Sequence, residues 1–147
     1  MHTMVQEDAV GGDTYQKRLL LAGVDDAPPI PMQIGDPASD TFRGFEVDLL
    51  RLLAERLNWA IEYRRARWSL IVSELSSGRL DLICSAATVT EQRKAEVNFC
   101  TPHLRLQLAL VVRKNAPDPL DAAKNRFGVR RGTTAEKFLR KGLGLNL

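Results

Sequence analysis

Apolar and polar positions along the chain alternate between two periods, one suited to strands and one to helices. Arg18-Leu-Leu-Leu-Ala-Gly-Val24 is a short unbroken apolar run, the pattern of a strand buried on both faces of a parallel sheet. It stops at Asp25-Asp26-Ala27-Pro28-Pro29, where two prolines withhold their backbone donors. From there to Arg43, Pro, Gly, Asp and Ser dominate and predict a loop. Phe45, Leu49, Leu53 and Leu57 then recur every fourth residue, with Leu50 and Ala54 beside them. That spacing predicts a helix with one apolar stripe. Glu46 and Asp48 in its first turn suit the helix dipole, and Asp48, Arg51 and Glu55 lie on the far side at ion-pair spacing.

The rhythm continues. Trp59 to Tyr63 alternates as a half-buried strand. Trp68 to Ser77 reads as a short helix with Trp68, Ile71, Val72 and Leu75 inward, and Gly78 is placed to end it. Leu80 to Cys84 is a buried strand, and Leu106 to Val112 is the most apolar strand of all. Asn115 to Asp121 holds two prolines and predicts a turn. A fresh cycle follows: strand Arg126 to Arg130, a Gly132-Thr-Thr turn, and helix Ala135 to Lys141. Strands alternating with helices over short connections predict an α/β fold with an open, mostly parallel sheet and flanking helices. The last cycle holds one strand and one helix, so the chain reads as stopping inside a second unit.

Composition fits a soluble domain: 147 residues, 44% hydrophobic and 27% charged. No apolar run approaches the roughly 18 residues of a membrane span. Met1 to Lys17 is polar and Gly-rich without the apolar stretch of a signal peptide, so residues 1–16 read as a flexible tail. The net charge of +3 is unevenly spread. Up to Val112 there are 12 Lys and Arg against 15 Asp and Glu; from Arg113 onward there are 9 against 3. This basic end lacks the interleaved aromatics of a single-strand binder, so a solvated face is expected and nucleic acid is not. Cys84 and Cys100 form neither a CxxC nor a metal spacing; a buried inert thiol and a disulfide both remain open readings.

Enzyme motifs are missing: there is no GxGxxG after the first strand, no P-loop, no GxSxG and no HExxH. His103 stands alone, and no His/Cys/carboxylate cluster has metal spacing. Neither metal nor cofactor is therefore expected. What remains are four loops at strand carboxyl ends, where open α/β sheets bind ligands: Asp25 to Ile30, Arg67-Trp68, Ser85 to Arg93, and Arg130 to Thr134. Ser85-Ala-Ala-Thr88 offers backbone amides and a hydroxyl. Arg93 can grip a carboxylate with two parallel bonds, or it is a solvated turn residue. Trp68 either walls a ligand or belongs to the core. Gly132-Thr133-Thr134 opens a helix and offers amides to an anion, whereas Thr88 and Thr134 are equally suited to cap helices.

Gly44-Phe-Glu-Val-Asp-Leu49 is similar to the Gly-Phe/Tyr-Asp-Val/Ile-Asp-Leu signature of family 3 extracellular solute-binding proteins, the polar-amino-acid receptors of bacterial ABC importers. In the family's order follow Trp68-Ser-Leu-Ile, Leu75-Ser-Ser-Gly-Arg-Leu-Asp81 and Ser85-Ala-Ala-Thr-Val-Thr-Glu-Gln-Arg-Lys94. Val97-Asn-Phe-Cys-Thr-Pro102 and Phe127-Gly-Val-Arg-Arg-Gly-Thr-Thr-Ala-Glu136 complete the match. The resemblance implies a type II periplasmic-binding-protein-like fold. Its first lobe would span residues 17–113, with a hinge and the first strand–helix unit of a second lobe over 114–147.

By position, Arg93 resembles the arginine that clamps a ligand carboxylate. Ser85, Ala86 and Thr88 correspond to the loop giving backbone and hydroxyl contacts, and Trp68 to an aromatic stacked on the ligand. Arg130, Thr133 and Thr134 resemble a second-lobe loop closing over the carboxylate, and Asp25 or Asp26 an acidic residue near the ligand. Ala27 and Ile30 stand where the family carries aromatics. The implied partners are an amino acid or similar carboxylate and a membrane-embedded ABC permease, in the periplasm or outside the cell. Dimerisation would cover the unpaired strand–helix unit of a naturally short chain. Two other readings are cyclohexadienyl or arogenate dehydratases, which share the fold, and an inactive truncated product.

Overall fold

The computed structural model describes residues 16–115, 121 and 125–145. Three strands, β1 (Arg18–Asp25), β2 (Trp59–Ala66) and β3 (Leu82–Ile83), form one sheet in the order β2-β1-β3. Both pairings are parallel, and helices α1 (Phe45–Leu57) and α2 (Ile71–Ser76) lie between consecutive strands. Two short helices, α3 (Glu91–Lys94) and α4 (Thr134–Lys137), follow, the second running into a π-helical turn over Phe138–Gly142. The predicted parallel α/β sheet is present, with β1 at its centre.

Alternation along β1 assigns its two faces. Val24 packs with Phe42 and Val47, and Tyr63 joins them edge-on to Phe42 at 5.0 Å. Leu21 and Gly23 face the other way, where Ala66, Ile71 and Leu80 form a second cluster with Val72 and Leu75. A Cβ on Gly23 would fall 2.5 Å from Leu80 Cδ1, so the small residue lets α2 and the turn after it sit directly on the strand. Gly44 is needed for a different reason. Its φ is 136°, and a Cβ there would lie 2.4 Å from the Met32 carbonyl oxygen, which fixes how the chain enters α1.

Several expectations need correcting. Helix α1 has the predicted bounds, but its buried residues are Glu46, Val47, Leu50 and Ala54, while Phe45, Leu53 and Leu57 are exposed. A four-residue step overshoots a 3.6-residue turn by about 40°, so the every-fourth series winds away from the sheet. The series 47, 50, 54 stays on it. Strand β2 runs three residues past Tyr63 to Ala66, β3 keeps only Leu82–Ile83, and α2 begins at Ile71 rather than Trp68. No strand forms over Leu106–Val112 or Arg126–Arg130. A strand exists by its hydrogen-bonded neighbour, and among the described residues neither segment has one; Leu106, Leu108 and Val111 are accordingly exposed. Both cysteines are free, with Cys100 exposed. The expected tail, residues 1–16, lies outside the described residues except for Gln16.

Candidate functional site

The carboxyl ends of β1 and β3 are stitched together by side chains. The buried Ser85 hydroxyl accepts from the Asp25 backbone N–H at 2.6 Å and from Gln33 Nε2 at 3.1 Å. Gln33 also donates to the Cys84 carbonyl. Asp25 itself is 2% exposed, and its carboxylate faces the guanidinium of Arg130. Arg130 grips both Asp25 oxygens, with Nη2–Oδ1 at 2.6 Å, and also reaches Asp26 Oδ1 at 2.9 Å and the Ala27 carbonyl at 3.1 Å. Burial works to raise the Asp25 carboxyl, but the Arg130 and Ala27 hydrogen bonds, with Asp26 and the Arg130 charge, hold it below its ordinary value.

A second arginine sits beside the first. Thr90 caps α3 by accepting from the Arg93 N–H at 3.3 Å, which sets Arg93 on a turn rather than in free solvent. Its guanidinium lies 4.9 Å from the centre of the Trp68 ring, within cation–π range, and Arg130 lies 5.9 Å from the same ring. Arg93 donates to the Thr88 carbonyl at 2.9 Å and to the Gly132 carbonyl at 3.3 Å. Trp68 Nε1 donates to the same Gly132 oxygen at 2.9 Å. Among the described residues no carboxylate stands within ion-pair reach of Arg93; burial lowers its affinity for a proton and Glu96 opposes this only by its field.

The Gly132–Thr134 turn is closed by side-chain caps at the start of α4. Thr133 accepts from the Glu136 N–H at 3.2 Å and donates to the Arg130 carbonyl at 2.7 Å. The Glu136 carboxylate accepts from the Gly132 N–H at 2.7 Å. The cap is therefore Thr133, and for α3 it is Thr90, not the Thr134 and Thr88 that the sequence suggested. Thr88 contributes its carbonyl to Arg93.

Two neighbouring groups thus emerge. Trp68, Arg93, Thr133 and Thr134, with Gly132 and Glu136, line an open cleft of about 440 Å³. Asp25, Ser85 and Arg130 form the network at the strand ends, and Ala86 leads from it towards Thr88 and Arg93. Sequence reasoning missed the role of Glu46, read only as a first-turn acid that suits the helix dipole. It is 3% exposed and both its oxygens accept from the Ala86 N–H, at 2.8 and 2.7 Å. His103, which looked isolated, has Nε2 3.4 Å from Glu46 Oε1. Among the described residues no group of His, Cys, Asp and Glu is arranged to hold a metal, and no helix is long and apolar enough to cross a membrane.

Comparison with known proteins places these loops in context. The sequence profile of the bacterial extracellular solute-binding proteins, family 3, matches residues 20–143. A probable histidine-binding protein of Neisseria gonorrhoeae is 32% identical over 104 residues, 69% of this chain and 39% of that protein. The L-cystine-binding protein of Escherichia coli (strain K12) is 28% identical over 133 residues, 87% of this chain and 49% of its own length. The chain thus spans about half the length, or less, of these curated relatives. Among solved structures, an ancestral arginine-binding protein bound to glutamine has a TM-score of 0.76 and 28% identity, covering 87% of this chain and 57% of that one. An ancestral amino acid-binding protein described as a precursor of cyclohexadienyl dehydratase is 31% identical, with a TM-score of 0.52 over 58% of this chain and 37% of its own.

Proposed function

The chain belongs to the bacterial extracellular solute-binding proteins, family 3, and from that premise we propose that it captures a small amino-acid-like ligand by its carboxylate for an ABC importer. Its fold is the open parallel α/β lobe of the type II periplasmic amino-acid-binding proteins. One observation supports the ligand chemistry above all. Arg93 is half-buried on the Trp68 ring, fixed by two carbonyls, and lacks an acidic partner among the described residues. Fixing a guanidinium before the ligand arrives removes much of the ordering cost of binding, and its remaining donors suit a planar carboxylate.

In this reading residues 17–113 are the ligand-binding lobe, and 114–147 are a hinge with the start of a second lobe, to which α4 belongs. Trp68 walls the ligand, the Ser85–Thr88 loop supplies backbone and hydroxyl contacts, and Thr133 and Thr134 close from the opposite side. Arg130 is held by Asp25 and Asp26 and acts as a strut that sets the closing loop beside Arg93. The working compartment is the periplasm or the cell exterior, and the onward partner is a membrane permease. The curated relatives named above are binding proteins. A dehydratase reading draws support from the described descent of one similar structure, and turnover of prephenate or arogenate by this chain would decide for it.

A thermal-shift screen against the common amino acids tests the proposal. One ligand class should raise the melting temperature, since a ligand at about 100 times its Kd stabilises by about 2.7 kcal/mol. The Arg93→Ala variant should lose the shift while melting cooperatively. A cooperative melt that no amino acid displaces would contradict carboxylate capture by this chain.

A further inference from the structure

Ala86 has φ of +47°, a left-handed conformation that disfavours any residue bearing a Cβ. Something must hold it there. Its N–H points at Glu46, and both carboxylate oxygens accept from it. Glu46 is the second residue of α1 and is sealed from water. The backbone of Glu46 is itself tied down: its N–H donates to the Met32 carbonyl at 3.2 Å, and its carbonyl accepts from the Cys84 thiol at 3.3 Å. Hence the carboxylate is carried on a rigid mount, with both oxygens on the Ala86 amide and His103 Nε2 3.4 Å from Oε1. An N–H bonded to an ionised acceptor is worth roughly twice one bonded to a neutral acceptor, enough to offset one strained backbone residue.

We propose that Glu46 is the positioning residue of the Ser85–Thr88 loop, and that its ionised carboxylate, partnered by His103, pins Ala86 in the left-handed turn that aims this loop at Arg93. The link to Arg93 is direct, because the Thr88 carbonyl two residues further on accepts from its guanidinium. The titratable groups facing Glu46 are His103, from the segment after Pro102, and Cys84, at the end of β3. On α1 itself, Asp48 and Arg51 pair with each other at 3.7 Å. Burial raises the Glu46 carboxyl above 4.5, against the opposing pull of the Ala86 N–H and His103. Protonation is therefore reached under milder acid than for a surface glutamate. It removes the charge that strengthens the Ala86 bond and loosens the loop.

The inference rests on the proposed binding role only for its consequence on affinity; the pin itself is measured without ligand. Following the Ala86 amide of the whole chain by ¹H–¹⁵N NMR should reveal one titration step with a midpoint above 4.5. Glu46→Gln should keep the amide protected, because the side-chain carbonyl still accepts, yet abolish that step. Glu46→Ala should speed Ala86 amide exchange by about tenfold or more and weaken whichever amino acid binds by a similar factor, with Glu46→Gln restoring most of the affinity. An Ala86 amide that shows no titration step in the wild type, or a step that persists unchanged in Glu46→Gln, overturns the pin. Should Glu46→Ala fail to fold, the wild type and Glu46→Gln decide alone. Failure of every amino acid to bind the wild type counts against the proposed function, while the Ala86 titration still judges this one.

Discussion

Asp25 is nearly sealed from water, and burial alone would push its carboxyl upward; Arg130 reverses the direction. A carboxyl held below its ordinary 3.8 adds stability that is present above that value and lost as the pH falls through the lower folded one. Replacing Arg130 by Met removes the largest of the contributions that oppose burial and leaves only the Ala27 and Asp26 hydrogen bonds, so the Asp25 carboxyl should rise. The cost of Arg130→Met should then be largest at neutral pH and shrink on acidification, as read from melting temperatures of both proteins across the range. A constant difference at all pH values would show that the pair does not set the Asp25 titration. Glu46 works with the opposite sign: its raised carboxyl favours the fold below 4.5, and that contribution is lost as the pH rises through its folded value. Arg93 and Arg130 were legible as candidate anion-binding residues because charge type and loop position survive in sequence. Glu46 was not, because a helix-start acid looks the same whether it faces water or a neighbouring loop's amide.

Among elements, α1 carries the clearest lesson. Its bounds follow from pattern and from Gly44, but its buried face does not, since apolar residues lie all around it. Leu50 is 6% exposed and Leu53 43%. Leu50→Ala should therefore cost about 2–4 kcal/mol and Leu53→Ala under about 1 kcal/mol, measured by denaturant unfolding. Equal costs would place the Leu53 side of the helix in a packed environment too. The short α3 escaped periodicity because four residues hold barely one turn; Thr90 three residues before Arg93 was the signal that could have found it. Leu106–Val112 shows the reverse failure. Its apolar run encodes a wish to be buried, but a strand also needs a neighbour's backbone, which no local pattern contains. Instead Leu108, Leu110 and Val112, with Phe127, Val129 and Phe138, line a groove of about 900 Å³.

For the molecule as a whole, the strand–helix alternation and the parallel sheet were readable from the chain, as was the gathering of loops at the strand carboxyl ends. What joins the basic C-terminal segment to the sheet was not. Arg130 bonds to Asp25 and Asp26, and the Gly132 carbonyl receives both Trp68 and Arg93. These contacts span 39 to 105 residues of sequence, and only folding brings them together. They put two guanidinium groups over one indole beside an open cleft; Arg130 is paired with Asp25 and Asp26, whereas Arg93 has no carboxylate within ion-pair reach among the described residues. Carboxylate capture by Arg93 is the claim on which the functional account stands. Titration calorimetry of the wild type and Arg93→Ala, with the best-binding amino acid and with its carboxamide analogue, isolates that one pairing. The account predicts that losing Arg93 weakens the acid by about ten- to a hundredfold and leaves the weaker-binding amide nearly unchanged. Equal losses for acid and amide, or none for either, would contradict it.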